Sequence, residues 1–305
     1  MVLILIIVKT LLLITHIRFD MKVIKALWEL TRLEHGIMII IAILVGYFIA
    51  NQSIYLNITK IVFAFLTGLL LEASTFALND YFDLEIDRKN NRTDRPLVRG
   101  DLKPKTALMV FFILFPLGII SSFMVNLYCF FIALITAFFA VLYDAKMKKI
   151  KLIGNAYIAY IMVIPFVFGA VAASSTIPTT IWILVSMAFL SGLGREIMKD
   201  IMDLKGDKEQ GVKSLPMYIG EKGSYIVISL LYITAVLLSF VPFLLETPYY
   251  RDVFYLGIVI IADIIFVIIA AGLIIKKHPD VKLYRKATLI AMLFGLIAFL
   301  VGSIV

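Results

Sequence analysis

Asp80, Asp83 and Asp87 follow one another at spacings of three and four residues at the end of an apolar run, in the segment NDYFDLEIDRKNNRTDRPLVRG that begins at Asn79. On a helix these spacings bring all three carboxylates to one face, where they converge instead of pointing separately into water. The spacing returns at Asp200, Asp203 and Asp207, in KDIMDLKGDKEQGVKSLPMYIG, at an offset of 120 that also carries Pro96 onto Pro216 and Gly100 onto Gly220. Either triad alone could be a solvated helix end paired with neighbours such as Arg88, Lys89 or Lys205. Two triads in register read as two halves of one site.

Six carboxylates in one cavity repel one another unless cations lie between them. An all-oxygen donor set suits a hard ion, and Mg²⁺ binds through one or two carboxylates while leaving room for phosphate oxygens. The expectation is therefore a Mg²⁺ site in which Asp80, Asp83, Asp87, Asp200, Asp203 and Asp207 are the catalytic and metal-binding acids around a diphosphate. Bases surround them: Arg88, Lys89, Arg92, Arg95 and Arg99 after the first triad, Lys199, Lys205 and Lys208 around the second, and Lys146, Lys148 and Lys149 between. Such a mixture suits a polyanion held partly through metal and partly by charge-assisted bonds, with Arg195 and Lys199 closest to the second triad.

The elements that carry these residues belong to a membrane. Of the 305 residues, 62% are apolar and 16% charged, far from the balance of a soluble domain. Cutting the uncharged runs at about 20 residues per span gives 36–59, 61–79, two spans within 106–143 turning near Val125 and Asn126, and two within 152–194 breaking at Ser174 to Pro178. Runs 223–245, 253–275 and 287–305 bring the total to nine. The expected fold is an all-α bundle. Lysine and arginine gather in 20–32, 79–105, 143–153, 195–222 and 276–286, whereas the alternate connections hold only Lys60 and Arg251. That asymmetry sets the amino terminus and both triads on the cytoplasmic side and the carboxy terminus outside.

The same asymmetry accounts for the net charge of +8 without nucleic acid. The single cysteine, Cys129, lies in an apolar run and allows no disulfide within the chain. Residues 1–20 form an apolar extension without a secretory signal's pattern, and 21–305 read as a single domain with pseudo-repeats at about 33–150 and 152–275. Four spans separate the triads, so the repeat is parallel, and the acids at helix ends place a central cavity open to the cytoplasmic face.

A diphosphate brought to a membrane cavity implies a lipid-like substrate. If it is an allylic isoprenoid diphosphate, metal would stabilise the leaving group, an apolar wall would keep water from the allylic cation, and aromatic faces such as Tyr81, Phe82 or Tyr143 could stabilise it. Glu72 lies two turns before Asp80 inside its span, placed to pair with Arg195 or Lys199 or to hold an acceptor head group. Asp263 stands alone in the eighth span. His16, His35 and His278 form no ligand spacing.

The run Asn79-Asp80-x-x-Asp83-x-x-x-Asp87 and its later counterpart resemble the two aspartate-rich motifs of the UbiA superfamily of intramembrane prenyltransferases, over nearly the whole chain from about Arg32. The resemblance implies nine transmembrane helices around a cavity capped on the cytoplasmic side, Mg²⁺, and transfer of a prenyl group from its diphosphate to an acceptor. It also implies that Asn79 and Arg32 lie near the substrate head group. The family's Tyr-x-x-x-Lys loop is altered here to Tyr143-Asp-Ala-Lys146-Met147-Lys148. The segment GREIMKDIMDLKGDKEQGVKSLP is most similar to the archaeal digeranylgeranylglyceryl phosphate synthases, which move a geranylgeranyl group onto the free hydroxyl of geranylgeranylglyceryl phosphate. For that acceptor's phosphate, Arg32 and the lysines near 146 are candidates. RTDRPLVRG also resembles branches with aromatic acceptors of the 4-hydroxybenzoate, homogentisate or porphyrin type. From other classes, a transporter of a phosphorylated lipid or divalent ion would line a path to both faces with acids, and a non-catalytic lipid-diphosphate binder would bind with metal and not turn over. No obligatory protein partner is implied.

Overall fold

The computed structural model describes residues 21–51, 56–145, 147, 150–209 and 212–302. The described residues form twelve helices and no strand: α1 (Met21–Thr31), α2 (Gly36–Ala50), α3 (Ile58–Lys89), α4 (Pro96–Arg99), α5 (Pro104–Val125), α6 (Leu127–Ala145), α7 (Lys151–Ala173), α8 (Thr179–Glu209), α9 (Leu215–Ser239), α10 (Val241–Leu244), α11 (Val253–Ile275) and α12 (Val281–Gly302). Among the described residues eight helices are long and apolar enough to cross a membrane, and α1 with α2 make a ninth candidate bent by 46°.

The first span is the one the hydropathy cut misplaced. Drawn over 36–59, it is instead helical only to Ala50, and Asn57 starts the next helix by accepting a hydrogen bond from the Lys60 amide at 3.0 Å. Fifteen residues rise only about 22 Å at 1.5 Å each, short of a hydrocarbon core of about 30 Å, so α1 supplies the rest before the bend. At the other end, α12 begins at Val281 and not at 287, because Lys282, Arg285 and Lys286 continue the helix beyond its apolar stretch. The hairpin break is as the sequence implies. Asn126 leaves helical geometry, donates to the Val171 carbonyl at 2.9 Å and accepts from the Cys129 amide at 2.8 Å.

The repeated proline and glycine have a structural meaning. Pro96 and Pro216 each stand in the first turn of a helix that follows a triad, where their missing N–H is not needed. Gly100 and Gly220 end those turns in the left-handed region, at φ 81° and φ 72°. Nothing lies within 4 Å of a Cβ built at either one, so backbone geometry and not crowding calls for glycine.

The two halves meet at a helix crossing. A Cβ on Gly46 of α2 would lie 2.0 Å from the Phe166 carbonyl of α7, and one on Gly169 of α7 would lie 2.0 Å from the Ile43 carbonyl of α2. Gly46 and Gly169 are 123 residues apart, and so are Ile43 and Phe166, so the two helices meet through a reciprocal pair of glycine–carbonyl contacts. Around this crossing a core cluster joins α2, α3, α6 and α7 to α11 and α12, with Cys129 fully buried in it. Outward faces carry large apolar side chains such as Phe112, Phe138 and Leu237, each more than 60% exposed, as a lipid-facing surface requires.

Candidate active site

The two triads occupy the far ends of the two longest helices, α3 and α8. Asp80 and Asp87 are buried and Asp83 is half-buried, while Asp200 and Asp207 are buried and Asp203 is exposed. Basic side chains meet each triad. Arg32, at φ 47° in the break between α1 and α2, donates from Nη2 to Asp80 Oδ1. Arg95, just ahead of α4, donates to the same oxygen at 3.1 Å and reaches Asp87 Oδ2 at 3.8 Å. In the second triad Lys151 Nζ lies 3.4 Å from both Asp200 Oδ1 and Asp207 Oδ2, and Asn155 donates to Asp200 Oδ2 at 2.7 Å.

Among the described residues no three acids stand close enough to hold an ion as they are. The convergence expected of the carboxylates is onto arginine and lysine, because like charges taken out of water gather whatever counter-charge is within reach. The donor set still fits a hard cation. Asp80 Oδ2 is a buried oxygen without a hydrogen-bond donor, unused acceptor capacity that a divalent ion would take up, and Asp200 Oδ1 and Asp207 Oδ2 face the single ammonium of Lys151.

Beside the triads lies a cavity of about 440 Å³. Its polar wall carries Arg32, Asn79, Tyr143, Asp144 and Lys199, and its apolar wall includes Ile39, Ile43, Ile161 and Phe168. Both triad helices therefore face it, through Asn79 beside Asp80 and Lys199 beside Asp200. Tyr143, at the end of α6, lies within electrostatic reach of Asp83 from one triad and Asp200 from the other. Its ring stacks on that of Tyr157 with centroids 4.9 Å apart.

The other sequence candidates divide. Glu72 lines the cavity, but it meets neither Arg195 nor Lys199. Arg195 instead donates to the Arg285 carbonyl at 2.7 Å and binds α8 to α12. Lys199 has Glu196 at 4.0 Å. Arg88 is exposed, and so are Tyr81 and Phe82, which pack edge to face on each other and are not among the cavity-lining side chains. Asp263 accepts from Ser239 at 2.8 Å in a buried contact between α11 and the end of α9. Lys146 and Lys148, and with them residues 1–20, lie outside the described residues. In the loop after α3, a hydrogen bond from Arg92 holds the Asp94 carboxyl below the usual carboxylate range.

Sequence reasoning passed over Lys151, Asn155 and Asp144 and left Arg95 among the outer bases. Lys151 had a signal: it follows Arg32 by 119 residues, one short of the repeat, and does in the second half what Arg32 does in the first.

With this geometry in place, comparison with known proteins is informative. Residues 39–294 match the UbiA prenyltransferase family. The chain belongs to this family. It is 40% identical to digeranylgeranylglyceryl phosphate synthase of Archaeoglobus fulgidus, over 92% of this chain and 96% of that protein. Among solved structures, one from work on digeranylgeranylglyceryl phosphate synthase in membranes superposes with a TM-score of 0.80 at 36% identity, covering 93% of this chain and 99% of that one. A UbiA homologue from Archaeoglobus fulgidus bound to DMAPP and Mg²⁺ shares the fold, with a TM-score of 0.67 at 17% identity over 90% of this chain and 98% of that one. The UbiA fold of this chain is thus established from both sequence and structure, and the chain is a prenyltransferase of the membrane.

Proposed function

We propose that this chain transfers a geranylgeranyl group from geranylgeranyl diphosphate to the free hydroxyl of geranylgeranylglyceryl phosphate, with Mg²⁺, at the cytoplasmic face of the membrane. The observation that carries this reading is the cavity between the two acid-bearing helices, mostly apolar along its wall and lined by Arg32, Asn79, Asp144 and Lys199 where it meets them. Similarity to digeranylgeranylglyceryl phosphate synthase along nearly the whole chain selects the acceptor.

Asp80, Asp83, Asp87, Asp200, Asp203 and Asp207 are the residues that would hold the metal, which when bound supplies charge neutralisation to the departing diphosphate. Arg32 and Arg95, already in place on Asp80, and Lys199 on the cavity wall provide charge-assisted donors for phosphate oxygens. Asn79 fixes the mouth of the cavity by donating to Asp144 at 2.8 Å. The isoleucines and Phe168 of the apolar wall shield the allylic carbon from water as it becomes cationic, and the stacked Tyr143 and Tyr157 offer it π faces.

The test is to incubate the purified chain in liposomes with geranylgeranyl diphosphate, Mg²⁺ and a panel of acceptors, and to identify the ether by mass spectrometry. Asp80→Ala and Asp203→Ala are each expected to abolish transfer while the protein remains folded. Normal turnover in either variant would overturn the reading, and product from an aromatic acceptor alone would move the chain to another branch of the family.

A further inference from the structure

One buried acid near the triads belongs to neither. Asp144, in the last turn of α6, is 5% exposed and lines the cavity. Its Oδ1 accepts from the side-chain amide of Asn79, the residue next to Asp80. The hydroxyl of Tyr157, also on the cavity wall, is buried without a hydrogen-bond partner, and it lies within the electrostatic reach of Asp144. A carboxylate and an unsatisfied hydroxyl thus share the polar end of the cavity with Arg32, Asn79 and Lys199.

The function proposed above, on which this step rests, creates a need there. When an alcohol attacks an allylic carbon its oxygen becomes positively charged until it sheds a proton, and a general base at the reacting oxygen accelerates that step. Two unassigned carboxylates face the cavity, Glu72 and Asp144. Glu72 precedes Asn79 by seven residues, about 10 Å along the axis at 1.5 Å per residue, and its carboxylate lies beside Gly36 at the start of α2. Asp144 touches Asn79 itself, at the level of the triads that would hold the diphosphate, and so at the level of the reacting carbon.

We propose that Asp144 is a catalytic residue, the base that accepts the acceptor's hydroxyl proton. The bond from C1 to the diphosphate oxygen breaks and its electron pair leaves with the diphosphate. A lone pair of the glyceryl hydroxyl forms the new ether bond to C1, and the hydroxyl proton passes to the Asp144 carboxylate and from there to solvent. Asn79 orients the base and the Tyr157 hydroxyl stands by to bond the incoming oxygen.

Asp144→Asn separates this role from a positioning one, since an amide oxygen still accepts from Asn79 but takes no proton. Two reactions are followed in the full chain in liposomes with Mg²⁺. One is ether formation with geranylgeranylglyceryl phosphate. The other is scrambling of an ¹⁸O label from the bridging position of geranylgeranyl diphosphate, which reports ionisation alone. The expected result is about a 100-fold loss of ether formation with scrambling within about twofold of wild type, the retained scrambling showing that the site is folded. Undiminished ether formation would overturn the proposal and leave the departing diphosphate as the base. A parallel loss of both reactions would also overturn it, by giving Asp144 a role in ionisation or in shaping the site. Ether formation by the wild type reads the proposed function separately, so an unaffected Asp144→Asn alongside an active wild type removes only the assignment of Asp144.

Discussion

Asp80 illustrates what residue-level reading could and could not reach. Its place in a repeated triad was legible, because chemistry imposes spacing and spacing survives in a sequence. Its partners were not, since Arg32 arrives from the break between α1 and α2, 48 residues away, and Arg95 from a turn whose direction depends on Pro96 and Gly100. The second triad carries the sharper test. Lys151 bridges Asp200 and Asp207, and its side chain is 20% exposed against 1% for Asp200. Lys151→Met should therefore lower the stability of the metal-free protein by on the order of 3 kcal/mol, the scale of stranding buried acids. Added Mg²⁺ should restore more of the melting temperature in this variant than in wild type. Equal Mg²⁺ responses in thermal melts of the two proteins would show that Lys151 does not occupy the place of a cation.

At the scale of elements, periodicity found the long helices and missed their ends. Hydropathy sees apolar content and not backbone direction, so it ran α2 past Ala50 and stopped α3 at Asn79, although the helix continues through all three acids to Lys89. It was equally blind to the crossing of α2 and α7, because a glycine in an apolar run looks like any other small residue. Gly46→Ala and Gly169→Ala put a methyl group 2.0 Å from a backbone carbonyl on the facing helix, and neither backbone can yield without separating the helices. Each is expected to cost several kcal/mol, beyond the 1–3 kcal/mol of common overpacking, and to be seen as reduced yield and a lower melting temperature in detergent. Gly257→Ala and Gly295→Ala, with nothing within 4 Å of the added carbon, serve as controls. They are expected to be neutral or to gain a few tenths of a kcal/mol from helix propensity.

For the whole molecule, the count of spans and the all-helical class were legible because the apolar runs have the length a helix needs to cross a bilayer and a strand does not, and the cavity was not, because it is bounded by side chains from helices far apart in sequence. Sidedness is open to direct measurement. The single native cysteine, Cys129, is buried, which leaves a quiet background for labelling. Lys277→Cys should react with a membrane-impermeant maleimide only from the cytoplasmic side and Glu246→Cys only from the other, both positions being exposed; labelling of both from one side would refute the topology. Chelation of divalent ions should abolish ether formation, and Mg²⁺ should restore it. The glycine crossing has one more consequence. A reciprocal contact of this kind is what joins the subunits of a dimer, here between two helices of one polypeptide. Chains 21–150 and 151–302 made separately in one membrane should then find each other, co-purify and regain prenyl transfer.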